Sequence, residues 1–312
     1  MYEKVVVLLD GSDLAEQVLP HVTEIVAGRG GEIHLLSVTP VIAPVLAAGV
    51  EVQPLTLAAD FLALEVKEQE RISRDLQTYL QGVAQRLSPT VGAVQTVVRS
   101  GQPAEEILHY AKEVHADLIA LCTHGRSGLS RWVFGSVADK VLRGATVPVL
   151  LVRVRATVEP GPVSHQRILV PLDGSALAEA ALPHVRALIR PGQTQVCLVS
   201  VLTTGLGDRT VALLTTSPPG LRLSTTALSR AQVELQSYLR GVAARLREAG
   251  AATQIEVREG NPAEEILACA QEIQAGLIVM NAHGLSGMSR WVYGSVADRV
   301  LRGASCPVLL VR

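Results

Sequence analysis

The sequence predicts two tandem doubly wound α/β domains, each a five-stranded parallel sheet with helices on both faces. Three observations lead there. The first is a repeat: Ser127–Arg153, SGLSRWVFGSVADKVLRGATVPVLLVR, recurs as Ser286–Arg312, SGMSRWVYGSVADRVLRGASCPVLLVR, identical at 22 of 27 positions. The second is the alternation of short apolar runs with longer helical patterns, which implies right-handed βαβ units around a parallel sheet. The third is composition. Hydrophobic residues make up 48% of the 312-residue chain and aromatics only 3%. The cores must therefore be built from Val, Leu, Ile and Ala, as suits β-branched strands buried beneath Leu/Ala helices.

In the first half, Lys4–Leu9 is an apolar strand, and Ser12–Gly28 reads as one helix with Ser12 or Asp13 as N-cap. Glu32–Val38 is the second strand, Asp60–Leu87 carries a long helical pattern, and Gln95–Val98 is a third strand. Pro103–His115 is a helix with proline near its first turn and Glu105–Glu106 at the positive end of the dipole. Asp117–Leu121 is the fourth strand, Ser136–Arg143 a helix closed by Gly144, and Val147–Val152 the fifth strand. The second half repeats the series at Arg167–Leu172, Ser175–Ile189, Gln195–Val201, Thr225–Ala249 and Thr253–Val257. It continues through Pro262–Gln274, Leu277–Met280, Ser295–Arg302 and Cys306–Val311.

The alignment of the halves sets the domain boundaries. Val5–His21 matches Ile168–His184 at an offset of 163, and from Tyr79 against Tyr238 the offset is 159. The difference, 163 − 159 = 4, is a net loss of four residues between Val201 and Tyr238. Residues 1–153 and 167–312 are the two expected domains, joined by a linker at 154–166 that holds two prolines and a glycine without periodicity. Similarity is lowest in Thr39–Leu76 and Leu202–Gln236 and highest around the Asp-Gly-Ser and Gly-Ser segments. Duplication alone would not grade it this way; a retained site or packing surface would. The divergent stretches 41–64 and 203–228 are candidates for lids or partner surfaces, against the plainer reading of variable connections.

A net charge of −1 gives no electrostatic footprint for nucleic acid. No apolar run approaches transmembrane length, and Met1 leads within four residues into a strand rather than into a signal peptide. The four cysteines, Cys122, Cys197, Cys269 and Cys306, show no CxxC spacing and do not recur at equivalent repeat positions. They read as small buried thiols in a reducing compartment, so a cytoplasmic protein without nucleic-acid or membrane partners is expected.

In doubly wound sheets ligands bind at the carboxyl ends of strands near the switch point, which strand one borders. Those ends are Asp10-Gly11-Ser12 and Asp173-Gly174-Ser175. The triplet alone reads first as an ordinary β–α turn with an N-cap, and its carboxylate or N–H groups could also contact a ribose or base edge. The stronger signal is Thr123-His124-Gly125, nine residues, then Gly135-Ser136, repeated as Ala282-His283-Gly284, nine residues, then Gly294-Ser295. Two glycine sites after a strand, the second opening a helix, bring backbone N–H donors and a positive helix end to a phosphate. A loop with an N-cap serine explains one copy; two near-identical copies favour phosphate binding.

No GxxxxGK[ST] element is present, which excludes a Walker-type NTPase. Gly28-Arg29-Gly30-Gly31 follows a helix rather than a strand and reads as a helix end. No partner recurs that would place His124 or His283 in a catalytic triad, and the adjacent glutamate pairs suit helix starts better than a glycosidase site. Trp132 and Trp291 read equally as ligand covers or loop anchors.

Both halves resemble the universal stress protein family over nearly their whole length. The resemblance rests on VVVLLDGS and ILVPLDGS, on ADLIALCTHGRSGLSR, and on the closing GSVADKVLRGATVPVLLVR. It implies the same five-stranded fold and, as in many members, ATP bound through a G-x2-G-x9-G-[ST] motif, with or without Mg2+. Carried over, it implies Asp10, Val38, Gly125, Gly135 and Ser136 in the first half and Asp173, Val201, Gly284, Gly294 and Ser295 in the second, with His124 and His283 inside the motif. The first motif glycine is replaced by Cys122 and Asn281, a departure that favours the second half if only one binds nucleotide. The resemblance also implies pairing of the closing PVLLVR edge strands, here as an intrachain pseudo-dimer, and leaves a homodimer of two chains open. The function so implied is a stress-response sensor or regulator that binds adenine nucleotide. The alternatives are a nucleotide-free interaction module of the same fold and a weak ATPase.

Overall fold

A computed structural model describes residues 2–39, 55–123, 135–153, 163–203, 225–282 and 294–312. They fall into two compact units, with the second beginning at Thr146 apart from short stretches. The first unit holds β1 (Lys4–Leu8), β2 (Glu32–Thr39), β3 (Ala93–Ser100) and β4 (Leu118–Cys122) in the order β3-β2-β1-β4, all parallel. Val5, Val6 and Val7 of β1 are fully buried, although successive side chains point to opposite faces. Both faces of the sheet are thus covered by helices, which explains the unbroken apolar run. On the outer strand β3, exposed and half-buried positions replace the buried run.

The helices are α1 (Asp13–Glu16), α2 (Leu19–Val26), α3 (Leu55–Leu87), α4 (Pro103–Glu113) and α5 (Ser136–Gly144). The single helix expected over Ser12–Gly28 is two, because Pro20 lacks the N–H that would donate back to Glu16 and its ring clashes with that carbonyl. Proline is tolerated in the first turn of the new helix, and α2 starts there. The strand expected over Gln95–Val98 runs the full length of its partner, from Ala93 opposite Glu32 to Ser100 opposite Thr39. α3 packs on β2 and β3, and α4 lies against α5.

The second unit opens with β5 (Val149–Val152), the closing strand of the first repeat, and continues with β6 (Arg167–Pro171), β7 (Gln195–Leu202), β8 (Ala252–Glu259), β9 (Leu277–Asn281) and β10 (Val308–Val311). Its sheet runs β5-β10-β9-β6-β7-β8. All pairs are parallel except β5 with β10, where Leu150 lies opposite Leu309 and Leu151 opposite Val308 in antiparallel register. All four residues of each of these two strands are buried. Arg153, just past β5, donates to the carbonyls of Arg302 at 3.1 Å and Ala304 at 3.3 Å. The helices α6 (Ala176–Glu179), α7 (Leu182–Leu188), α8 (Thr225–Glu248), α9 (Pro262–Glu272) and α10 (Ser295–Gly303) repeat α1–α5, with Pro183 breaking α6 from α7 as Pro20 does above. The doubly wound α/β fold is therefore repeated twice. Among the described residues, no helix is long and apolar enough to cross a membrane.

Candidate functional site

Asp10 ends the apolar run of β1, and the chain turns at Gly11, whose φ of +83° lies in the left-handed region that glycine enters at least cost. Gly174 does the same at +80°. The Asp10 Oδ1 accepts from the Ser12 backbone N–H at 3.0 Å and from its hydroxyl at 2.6 Å. The Ser12 hydroxyl oxygen in turn accepts from the Ala15 N–H at 3.2 Å, capping α1. Asp173, Ser175 and Ala178 reproduce these bonds at 3.0, 2.6 and 3.0 Å. The turn-and-cap geometry of the triplet is thus present in both repeats, with Asp10 and Asp173 at the carboxyl ends of β1 and β6.

A buried serine holds that strand end. Ser37 donates its hydroxyl to the Leu9 carbonyl at 2.6 Å, and Ser200 donates to the Leu172 carbonyl at the same distance. Sequence reasoning missed both, although their recurrence 163 positions apart was a readable signal. At the end of β4, the Thr123 carbonyl accepts from the Gly135 N–H at 3.0 Å, and in the second repeat the Ala282 carbonyl accepts from Gly294 at 2.9 Å. The bond ties the end of the strand to the start of the next helix. Gly135 has φ −56°, so its backbone shape does not require glycine. As an N-cap it offers no side-chain acceptor, leaving the first N–H groups of α5 available to a ligand.

In the first unit these segments surround one cavity of about 280 Å3, lined by Asp10, Val38, Cys122, Gly135 and Ser136. The size is near the lower end of the roughly 300–1,000 Å3 of ligand pockets. Leu9, Pro103, Ile107 and Leu121 add apolar walls, and Val137 and Ala138 continue the first turn of α5. Pro103 and Ile107 were not anticipated; they recur as Pro262 and Ile266, the same kind of signal. The arrangement pairs an apolar slot with a carboxylate on one side and a helix N-terminus on the other. Those are the needs of a flat heterocycle, a hydroxylated sugar and an anion. The Cys122 sulfur lies against α1, donating to the Ala15 carbonyl at 3.5 Å, and burial pushes its thiol up to about 12. Burial thus favours the neutral thiol, which forms part of the cavity wall.

The model of the universal stress protein family matches residues 1–153 and again 164–312. The chain belongs to the universal stress protein family. A universal stress protein of Mycolicibacterium smegmatis is 27% identical over 291 residues, covering 92% of this chain and 90% of that one. Another, from Methanocaldococcus jannaschii, is 29% identical over 153 residues, or 49% of this chain and 83% of the relative. The crystal structure of a universal stress protein from Archaeoglobus fulgidus superimposes with a TM-score of 0.69 at 20% identity, over 100% of this chain and 99% of that one, and so shares its fold.

Of the family-motif positions in the first repeat, Asp10, Val38, Cys122, Gly135 and Ser136 converge on the cavity. In the second repeat of this universal stress protein, Asp173, Val201 and Asn281 stand at the carboxyl ends of the neighbouring strands β6, β7 and β9, and Gly294 and Ser295 open α10. Asn281 is buried at 7% exposure, in register with Val311. His124, Gly125, His283, Gly284, Trp132 and Trp291 lie outside the described residues, as do most of 41–64 and 203–228 and part of the linker.

Proposed function

We propose that this universal stress protein binds adenine nucleotide, ATP with or without Mg2+, and serves as a stress-response sensor or regulator. The observation that carries the reading is the convergence of Asp10, Val38, Gly135 and Ser136 on one cavity from three separate segments. In this reading Asp10 meets the ribose or base edge, Val38 packs on the base, and the N–H groups of α5 receive phosphate. Gly135 packs closely on the end of β4, where a Cβ would stand 3.3 Å from the Thr123 carbonyl oxygen. Gly125 and His124 are assigned to the same site by the family motif alone. Asp173, Val201, Asn281, His283, Gly284, Gly294 and Ser295 perform the same roles in the second repeat. A bound Mg2+ would offset phosphate charge.

The two nucleotide-binding domains are residues 1–153 and 167–312, joined by 154–166, in a protein of the cytoplasm. An intrachain pseudo-dimer through the closing strands is supported by the antiparallel pairing of β5 with β10. Replacement of the first motif glycine by Cys122 favours the second reading, an interaction module without nucleotide. Against it, the Cys122 thiol is tucked toward Ala15.

The test is mass spectrometry of small molecules released by heat from the purified chain. One or two adenine nucleotides per chain are expected. No nucleotide released, together with no heat on titration with Mg-ATP, overturns the reading.

A further inference from the structure

The two repeats differ most tellingly at a buried cluster away from the cavity. In the second repeat, Cys197 of β7, Glu256 of β8 and Cys269 of α9 bring two sulfurs and a carboxylate oxygen within 4.8 Å of one another. Cys197 is 4% exposed and Cys269 fully buried, while the Glu256 side chain is 22% exposed and opens the cluster toward solvent. At the offsets of 163 and 159, the same places in the first repeat hold His34, Val97 and Tyr110. There His34 Nδ1 and the Tyr110 hydroxyl form a buried hydrogen bond of 2.8 Å. The surrounding pair is retained: Arg99 meets Glu113 at 2.7 Å, and its counterpart Arg258 meets Glu272. Three positions have thus changed together, from a hydrogen-bonded histidine–tyrosine pair and an apolar valine to two thiols and a carboxylate, inside a preserved frame.

We propose that Cys197, Cys269 and Glu256 bind one Zn2+ per chain. The geometry suits it. Bonds of about 2.3 Å to sulfur and about 2.0 Å to oxygen at a tetrahedral angle place those ligand atoms about 3.5 Å apart. The Cys269 sulfur lies 3.6 Å from Glu256 Oε2. Thiolates favour zinc over magnesium or calcium. Charge favours it too: two thiolates neutralise Zn2+, and Glu256 shares with Glu272 the guanidinium of Arg258, whose Nη2 lies 2.7 Å from Glu256 Oε2. Ligating carboxylates need orienting partners, and Glu256 has two. Gln254 donates to Oε1 at 2.9 Å, and Arg258 donates through Nε and Nη2 to Oε2. Water fills the fourth position.

The test uses the full chain, reduced and stripped with chelator, then titrated with Zn2+ against a competing chelator dye and separately with Co2+. One Zn2+ per chain at submicromolar Kd is expected, along with a thiolate-to-cobalt absorption band in the near ultraviolet. Cys197→Ser and Cys269→Ser each abolish the band and weaken Zn2+ binding at least about 100-fold, and Glu256→Gln weakens it about 10- to 100-fold. Should a serine variant fail to fold, the wild-type chain carries the test alone. X-ray absorption at the zinc edge of the loaded wild-type chain then shows two sulfur ligands at about 2.3 Å. The proposal is overturned if no Zn2+ is taken up, if uptake survives in both serine variants, or if the zinc edge shows no sulfur ligands.

Discussion

Replacing Ser37 by alanine removes one hydroxyl and nothing else, in a place where that hydroxyl has a single measurable task. Ser37 is 1% exposed and donates to the Leu9 carbonyl at 2.6 Å, while the Leu9 N–H is taken by the Leu36 carbonyl at 3.0 Å. Without the hydroxyl, the Leu9 carbonyl is left buried without this donor. A net hydrogen bond contributes about 1 kcal/mol, and a stranded buried polar group costs about 1–3 kcal/mol. The expected loss is therefore about 1–3 kcal/mol. At a urea slope of about 2 kcal/mol per M, the midpoint of the repeat's unfolding falls by about 0.5–1.5 M. Ser200→Ala, with the same 2.6 Å bond to Leu172, should behave alike. Because the two sites lie in separate compact units, the double variant should add the two losses. Urea titration followed by far-ultraviolet circular dichroism measures all three. A midpoint unchanged within about 0.1 M in either single variant would refute the claim that these hydroxyls hold the ends of the central strands.

Other outcomes follow from the same geometry. Asp10→Asn keeps an acceptor for Ser12 and so leaves stability within about 1 kcal/mol, yet it lowers nucleotide affinity in calorimetry at least about tenfold; Ser12→Ala loses the cap of α1 and costs about 1 kcal/mol in urea unfolding. Gly276→Ala would set a Cβ 1.9 Å from the Ser164 carbonyl, so the backbone must move and about 2 kcal/mol or more is lost, whereas Gly135→Ala meets its nearest neighbour at 3.3 Å and costs under about 1 kcal/mol in thermal melts. Burial lowers the His21 pKa to about 4 and that of His184 in the same direction. The unfolded chain therefore binds more protons below its ordinary pKa near 6.5, and stability present above that pH is lost as pH falls toward 4. His21 contributes up to about 3 kcal/mol of this. His21→Gln should flatten the urea midpoint between pH 6.5 and 4, and an unchanged slope would contradict the assignment.

The strands and the placement of Asp10, Val38 and Gly135 were legible because a parallel sheet demands unbroken apolar runs, and ligand chemistry then collects at their carboxyl ends. Pro20 and Pro183 were visible but underweighted: apolar periodicity continues across them, while the missing N–H ends the helix. Ser37 and Ser200 read as strand residues because a hydroxyl's value depends on which carbonyl of the neighbouring strand it meets, and that is a matter of register. Gly276 stands in the second repeat where the first has Asp117. Asp117 accepts from the Glu3 and Lys4 N–H groups at 2.8 and 3.0 Å, while Gly276 leaves room for the Ser164 carbonyl, a different and tightly packed lead-in. The cysteines seemed unrelated along the chain because pairing across β7 and α9 is tertiary.

The most direct test of nucleotide binding at the first-repeat cavity is isothermal titration of the chain with Mg-ATP, beside Gly135→Val. The glycine's φ of −56° admits valine at this cavity-lining position, and its Cβ, 3.3 Å from the Thr123 carbonyl oxygen, needs a shift of a few tenths of an ångström. The account predicts binding by the wild type and loss of the first-repeat site in the variant, with its melting transition retained. Equal heats from the wild type and the well-folded variant would place any bound nucleotide elsewhere and contradict the account.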